Sequence, residues 1–345
     1  MAFYDWLFDN LGLRNWCDEA KQEGPMSMAE LLAKAKGNQA AEDAETFPFP
    51  SLDALHEACG AMPRTREMTV GLERLFLDVK DGLKVVLDPI TQPLSWMLDG
   101  ALWLFASLPW WVLLPLLLMV CWTVTRNVRV ALLVAFSFIL LGFIDHLDSA
   151  VQTLSIIFVC TTISVVLGVP IGIAMSKSDR LQKTTLPILD LLQTLPSFVY
   201  LIPLIFLFSV TESKLYGIAI ILYAIVPVIR LTDLGIRLVD RDVIEAADAF
   251  GMTGRQKLIG VEIPLALPNI MAGVNQTIMM SLAMVVIASL VSAPGLGVLV
   301  LRGIRNLELG VGLVAGLGIV LLAVVLDRVS KAALDRVDKS KAGGL

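Results

Sequence analysis

The residues best placed to do chemistry lie between two long apolar runs, in the stretch DVIEAADAFGMTGRQKL at 242–258. Asp242 can cap a short helix, with Glu245 three positions on as its reciprocal partner, because side-chain oxygens there satisfy N–H groups that a first turn leaves free. Gly251 can end that helix in the left-handed conformation. Thr253 can cap a second helix, with Gln256 as its partner. The result is two short helices around a glycine bend. These residues offer reversible docking rather than bond-making. Ala246, Ala247 and Ala249 let a partner surface come close, and Phe250 supplies an apolar anchor. The plainer alternative is a well-capped loop, in which Glu245 only satisfies backbone N–H groups and Gly251 only permits a turn. A DNA-reading helix-turn-helix is disfavoured, since residues 240–257 hold four acids against three bases, with no basic footprint.

A second set consists of polar side chains inside apolar runs. These are Asp190, Gln193, Thr194 and Ser197, then Asn275, Gln276 and Ser281. Polar groups are costly in hydrocarbon and face either a cavity or another helix. They therefore line a pathway for a polar cargo or hydrogen-bond between helices. Asp190 lies near the end of its run, where a position at headgroup level is the alternative. Tyr200 and Phe198 could turn π-faces to a cationic group, or simply pack. Catalytic chemistry has no such support. There is no GxxxxGK[ST] phosphate loop and no HExxH. His56 and His146 are isolated, and the four cysteines lack metal-ligand spacing. No catalytic residue, metal site or nucleic-acid partner is expected.

The elements that must hold these residues are membrane helices. Of 345 residues 56% are hydrophobic and 17% charged, with mean hydropathy +0.76, whereas soluble domains carry about 25% charged residues. Apolar runs near ~20 residues suit a ~30 Å hydrocarbon core. Without period-2 alternation they specify an all-α, polytopic helical bundle rather than a barrel. Seven spans are expected, at about 106–125, 128–145, 150–175, 186–209, 215–232, 269–292 and 309–327. The membrane-spanning core is then 101–328, with a long connection at 233–268 and a short basic tail at 329–345. Residues 69–100 form an interfacial region in which 72–88 read as an amphipathic helix lying along the membrane, with Leu72, Leu75, Phe76, Val79, Leu83 and Val86 at helical spacing. DPITQP at 88–93 is expected to break it. Residues 1–68 form a tail with twelve acids against six bases. Its start lacks the basic head and apolar core of a cleavable signal, and reads as an interfacial amphipathic helix or a loosely packed terminus. Cys17 and Cys59 could pair there if the tail is periplasmic. Lys and Arg collect after spans one, three, five and seven, which the positive-inside rule assigns to the cytoplasm, leaving the N-terminus outside. Arg302 and Arg305 disagree, and GVLVLRGIRNLELG at 297–310 reads as an amphipathic segment on the outer side.

The loop stretch resembles the EAA motif of ABC importer permeases: Glu-Ala-Ala, three residues, Gly, nine residues, then Ile-x-Leu-Pro. Here it reads Glu245-Ala246-Ala247, Gly251, then Val261-x-Ile263-Pro264, with two apolar-for-apolar departures. LLQTLPSFVYLIPLIFLF (191–208) and IMAGVNQTIMMSLAMVVIASLVSAPGLG (270–297) are similar to permeases of glycine betaine and proline betaine importers. Pro294 stands where that pattern expects a small flexible residue. The resemblance implies a bacterial inner-membrane subunit of the type I importer kind that carries a methylated amine or betaine, such as glycine betaine, proline betaine, choline or trimethylamine N-oxide. It implies a separate cytoplasmic ATPase that binds ATP and Mg, a periplasmic or tethered binding protein, and a second copy of this chain. No cofactor is expected on this chain. Two alternatives stand beside it: a permease for an amino acid or sulfonate, and a non-transporting membrane sensor.

Overall fold

The computed structural model describes Phe8, Leu11, Gly12 and residues 65–342, and those residues contain helices and no strand. The expected N-terminal amphipathic segment falls mostly outside the described residues, and Cys17 and Cys59 fall wholly outside them. The chain divides after Gly82 into two compact units, Met1–Gly82 and Leu83–Leu345. The second holds the bundle.

The helices are α1 (Thr65–Ser107), α2 (Trp110–Thr125), α3 (Val128–Phe143), α4 (Leu147–Lys177), α5 (Asp179–Thr194), α6 (Leu201–Leu207), α7 (Ser213–Arg237), α8 (Arg241–Ala249), α9 (Gly254–Lys257), α10 (Ile263–Ala288), α11 (Leu296–Arg305) and α12 (Leu309–Ala342). A 3₁₀ turn, Ser197–Tyr200, precedes α6, and a π turn, Leu258–Glu262, joins α9 to α10.

Of the seven expected spans, six recur at membrane length when each bent pair counts as one span, and the expected second, 128–145, is a shorter apolar helix. Four helical stretches are long and apolar enough to cross a membrane: Leu147–Lys177, Ser213–Arg237, Gly254–Val291 and Leu309–Arg336. Two more segments are bent pairs. The expected fourth span, 186–209, breaks between α5 and the turn leading to α6, with a bend of 103°. Leu195 precedes a proline and is pushed to φ −66°, ψ 133°, and Pro196 follows at φ −54°, ψ 129°. Two extended residues in succession cannot continue a helix. The expected first span also changes. Its residues 106 and 107 belong to α1, and α2 departs at 115° after Pro109. The α3 segment has 16 residues, about 24 Å at the helical rise, which is short for a perpendicular crossing.

DPITQP does not break α1, which runs through Pro89 and Pro93. Tertiary contacts override the local signal. Leu94 and Leu98 of α1 seat against Gly217 of α7, where a Cβ would lie 2.6 Å from Leu98 Cδ1. Between the two prolines, Thr91 donates its hydroxyl to the Leu87 carbonyl at 2.8 Å, the i−4 side-chain bond that a helical threonine commonly makes. Nearby, Lys214 of α7 is only 4% exposed. It lies 2.8 Å from Asp88 and 2.7 Å from Glu212, and its ammonium sits 5.2 Å from the Phe208 ring centroid.

The centre of the bundle is α7, gripped between α4 and α10. Its most apolar window is 67% buried, against 22% for α12, which makes α7 the axis and α12 peripheral. Glycines permit the approach. A Cβ on Gly168 would lie 2.4 Å from Val228, and one on Gly172 would lie 2.6 Å from Thr232 Cβ and 2.7 Å from the Ile229 carbonyl oxygen. From the other side, a Cβ on Gly273 would meet the Val228 Cα at 3.0 Å. Such small-residue contacts are how helices come close where lipid removes any hydrophobic drive between them.

The basic connections gather at one end. Arg336 of α12 donates to the Thr123 and Val124 carbonyls beside the α2–α3 corner. Asn275 ties the early part of α10 to the late part of α12, and Lys177 at the end of α4 pairs with Glu262 just before α10. Arg302 and Arg305 lie on α11, whose first residue donates to Thr153 near the start of α4 at 2.9 Å, at the opposite end. The segment at 297–310 is indeed largely a helix there.

Replacing Gly172 with Val should overpack the α4–α7 crossing at a cost of about 1–3 kcal/mol. Thermal unfolding of the purified protein in detergent would register this as a lowered midpoint. An unchanged midpoint would mean that the crossing is looser than described.

Candidate functional site

The connection between α7 and α10 is more compact than 233–268. Asp233 and Arg237 remain on α7, and from Gly254 the chain is already winding toward α10. The reason is electrostatic: Arg237 lies 3.0 Å from Asp233 and 2.8 Å from Asp179, so the helix continues past its apolar portion with its charges satisfied.

The cap of α8 is Asp240 rather than Asp242. Its carboxylate accepts from the Asp242 N–H at 3.0 Å, and Asp242 occupies the first turn, where a negative charge suits the helix dipole. Glu245 is therefore not a box partner but an exposed side chain on the second turn. The far end of α8 follows the glycine logic. Gly251 has φ +71°. Its N–H donates to Asp248 at 2.9 Å, and the Met252 N–H donates to Ala247 at 3.2 Å. This is a Schellman motif, which satisfies the carbonyls a helix end leaves free. Thr253 and Gln256 form the expected capping box, with the Thr253 N–H donating to Gln256 at 2.9 Å. Lys257 then reaches back to Asp248 at 2.7 Å. The two short helices thus form one braced unit, continuous through the π turn with α10.

Phe250 stands at the tip, 87% exposed. Glu245 and Ala246 are exposed beside it, Gly251 forms the bend, and Pro264 is half-buried in the first turn of α10. Ala247 is 5% exposed, because it points into the unit and its carbonyl closes the Schellman motif. It therefore does not supply the open small-residue surface that its composition suggests. Beside the bend, Met252, Thr253, Arg255, Gln256, Ile259 and Gly260 line a shallow, open hollow of about 450 Å³.

The candidate pathway residues separate into two sets. Gln193 at the end of α5 lies 4.0 Å from the Met280 sulfur of α10. Ser197 and Tyr200 occupy the 3₁₀ turn that packs against the same helix. Tyr200 is buried, and its hydroxyl has no hydrogen-bond partner. Thr194 is exposed and donates to the Leu191 carbonyl at 3.3 Å, and Gln276 is exposed. The other set serves helix packing. Asn275 donates to Asp327 at 3.2 Å and accepts from Ser330 at 2.7 Å, and buried Ser281 accepts from Thr161 of α4 at 3.2 Å. Asp190 pairs with Arg230 of α7. Cys121 and Cys160 are buried and free.

Sequence reasoning missed the polar contacts that cross between helices. Glu262 is buried against Lys177, 85 residues away in sequence. Gln182 donates to Asp233 at 2.6 Å, and Arg237 donates to the Met175 carbonyl at 2.9 Å. The only sequence signal was acids standing among the helix-flanking bases.

The braced unit generates a test of its own. Gly251→Ala should cost about 1–2 kcal/mol through its left-handed backbone alone, since a Cβ there meets nothing within 4 Å. Faster proteolysis of the loop, with the overall melting midpoint little changed, would report it.

Similarity to known proteins agrees with this geometry. The family described as binding-protein-dependent transport system inner membrane component matches residues 164–341, from the middle of α4 to the end of α12. The glycine betaine/proline betaine transport system permease protein ProW of Escherichia coli K12 is 39% identical over 289 residues, covering 82% of this chain and 78% of the relative. The glycine betaine transport system permease protein OpuAB of Bacillus subtilis 168 is 40% identical, covering 76% of this chain and 89% of the relative. The trimethylamine N-oxide transport system permease protein TmoV of Ruegeria pomeroyi is 37% identical over 76% of this chain, but only 39% of that longer relative is matched. A helical bundle carrying a braced, solvent-facing loop ahead of its penultimate membrane helix, with these matches, belongs to the family of inner-membrane components of binding-protein-dependent transport systems.

Proposed function

We propose that this chain is the membrane-spanning permease of an ATP-driven importer that moves a small methylated amine or betaine-like osmolyte into the cytoplasm. The observation that carries the reading is the exposed tip of α8, with Phe250 standing free on a doubly capped, ion-paired support. A membrane helix pair gains nothing by presenting a phenylalanine to water, whereas a partner's groove does. In this reading a cytoplasmic ATPase binds ATP and Mg and seats Glu245, Ala246, Phe250 and Gly251. Its closure displaces the unit as a rigid body and shifts the bundle between inward- and outward-open states. The cargo class follows the names of the relatives, which transport glycine betaine, proline betaine and trimethylamine N-oxide.

The remaining parts follow from that role. A binding protein delivers cargo at the end that carries α11, two copies of the chain enclose the pathway, and the N-terminus lies outside with the C-terminus in the cytoplasm, as the gathering of bases at the loop end favours. Gln193, Thr194, Ser197, Tyr200 and Gln276 are the residues proposed to face the pathway, Tyr200 because a buried hydroxyl without a partner can still accept one. Asn275 and Ser281 would shape it from behind.

The decisive experiment purifies the chain with its ATPase into nanodiscs and adds the binding protein with a panel of methylated amines, amino acids and sulfonates. ATP hydrolysis should rise with one or two methylated amines. Phe250→Asp should lose the ATPase on purification while the permease keeps its melting midpoint. Stimulation by an amino acid or sulfonate alone would replace the cargo assignment, and full ATPase retention by Phe250→Asp would remove the docking role.

A further inference from the structure

If α8 is pushed by a partner, the displacement must enter the bundle somewhere, and the contacts at the loop's two stems indicate where. The stem leaving the bundle is the last turn of α7. There Arg237 lies 2.8 Å from Asp179 and donates to the Met175 carbonyl at 2.9 Å, while Asp233 accepts from Gln182 at 2.6 Å. The stem returning to the bundle is the π turn, where the Ile263 N–H reaches back to Leu258 and Glu262, 4% exposed, pairs with Lys177. Met175, Lys177, Asp179 and Gln182 all belong to one corner, the end of α4 and the start of α5. Both stems are therefore fastened to the same short piece of chain by charged groups, and Asp233 and Glu262 are nearly sealed from water. Such bonds strengthen in a low-dielectric setting and resist separation, because pulling them apart strands a charge. A π turn is also a common place for a helix to carry functional adjustment.

We infer that the α4–α5 corner receives the displacement of the α8 unit, and that Glu262, Lys177, Arg237 and Asp179 are the positioning residues that make corner and loop move together. The corner leads directly into α5, whose far end carries Gln193 and the 103° break beside α10. Motion received at the corner is thereby passed along one helix to the proposed pathway. With the corner unfastened, the loop can follow its partner while the pathway stays behind, and hydrolysis becomes separated from uptake. This inference rests on the docking role given above to the α8 tip.

The test measures uptake and ATP hydrolysis together, in proteoliposomes holding the full complex with glycine betaine as the probe cargo. Glu262→Gln should still copurify its ATPase and hydrolyse ATP, with uptake per ATP reduced at least about five-fold, the lower end of typical coupling between sites. The exchange Lys177→Glu with Glu262→Lys should recover most of that ratio, which loss of fold could not explain. Should Glu262→Gln fail to assemble, Lys177→Met, whose side chain is half exposed, is read in the same way. An unchanged ratio in these variants overturns the inference, as does a parallel fall of uptake and hydrolysis with no recovery in the exchange. An unmodified chain that copurifies no ATPase overturns the docking role and this inference together. Normal uptake by the unmodified complex with unchanged variants overturns this inference alone.

Discussion

Along α7 three backbones meet nearly in contact, and the rest of the bundle is arranged around that meeting. Gly168 and Gly172 bring α4 against Val228, Ile229 and Thr232, and Gly273 brings α10 against the opposite flank of Val228. Lipid tails are as apolar as leucine, so helices in a membrane gain little from hiding leucine against leucine. What favours association is close packing, and close packing needs positions without side chains. With α7 fixed on both sides, the remaining helices have defined neighbours: α1 at Gly217, α11 at Thr153, and α12 at Asn275.

Polar groups supply the specificity that apolar packing lacks. Asn275, Ser281, Lys214, Asp233 and Glu262 each find a partner on another element. An unpaired group of this kind in hydrocarbon would be expensive, so each pairing also fixes a register between helices. Tyr200 is the contrast. Its hydroxyl is buried and unpartnered, as are those of Ser155, Ser164, Thr232 and Thr277.

The α8 unit obeys the opposite rule. Its ends are capped from within, by Asp240, the Schellman bend at Gly251 and the capping box at Thr253, and the Lys257–Asp248 pair braces them. Nothing in it needs the bundle for its local shape, while its two stems are fastened to the bundle firmly. A stiff element on fastened stems transmits force, and a soft loop would absorb it. That difference gives meaning to an exposed phenylalanine at the tip.

The sequence alone determined what short-range physics controls. The position of most apolar runs follows from hydropathy, because crossing a membrane imposes a length. The Gly251 bend and the Thr253–Gln256 box follow from residues within five positions of one another. The EAA spacing carries the family for the same reason. Other features waited for the tertiary structure. The cap moved from Asp242 to Asp240, whose carboxylate accepts from the Asp242 N–H, since two aspartates two residues apart can each serve. DPITQP stayed helical because Leu94 and Leu98 seat on Gly217. The fourth apolar run broke at Leu195–Pro196, where a kinked single helix was equally compatible with its composition. Asn275 and Ser281 proved to bind other helices, and Lys177 proved to hold Glu262. Each of these depends on a partner 50 or more residues away in sequence or on a choice between two nearby options of similar energy. Spacing along one chain carries no record of either.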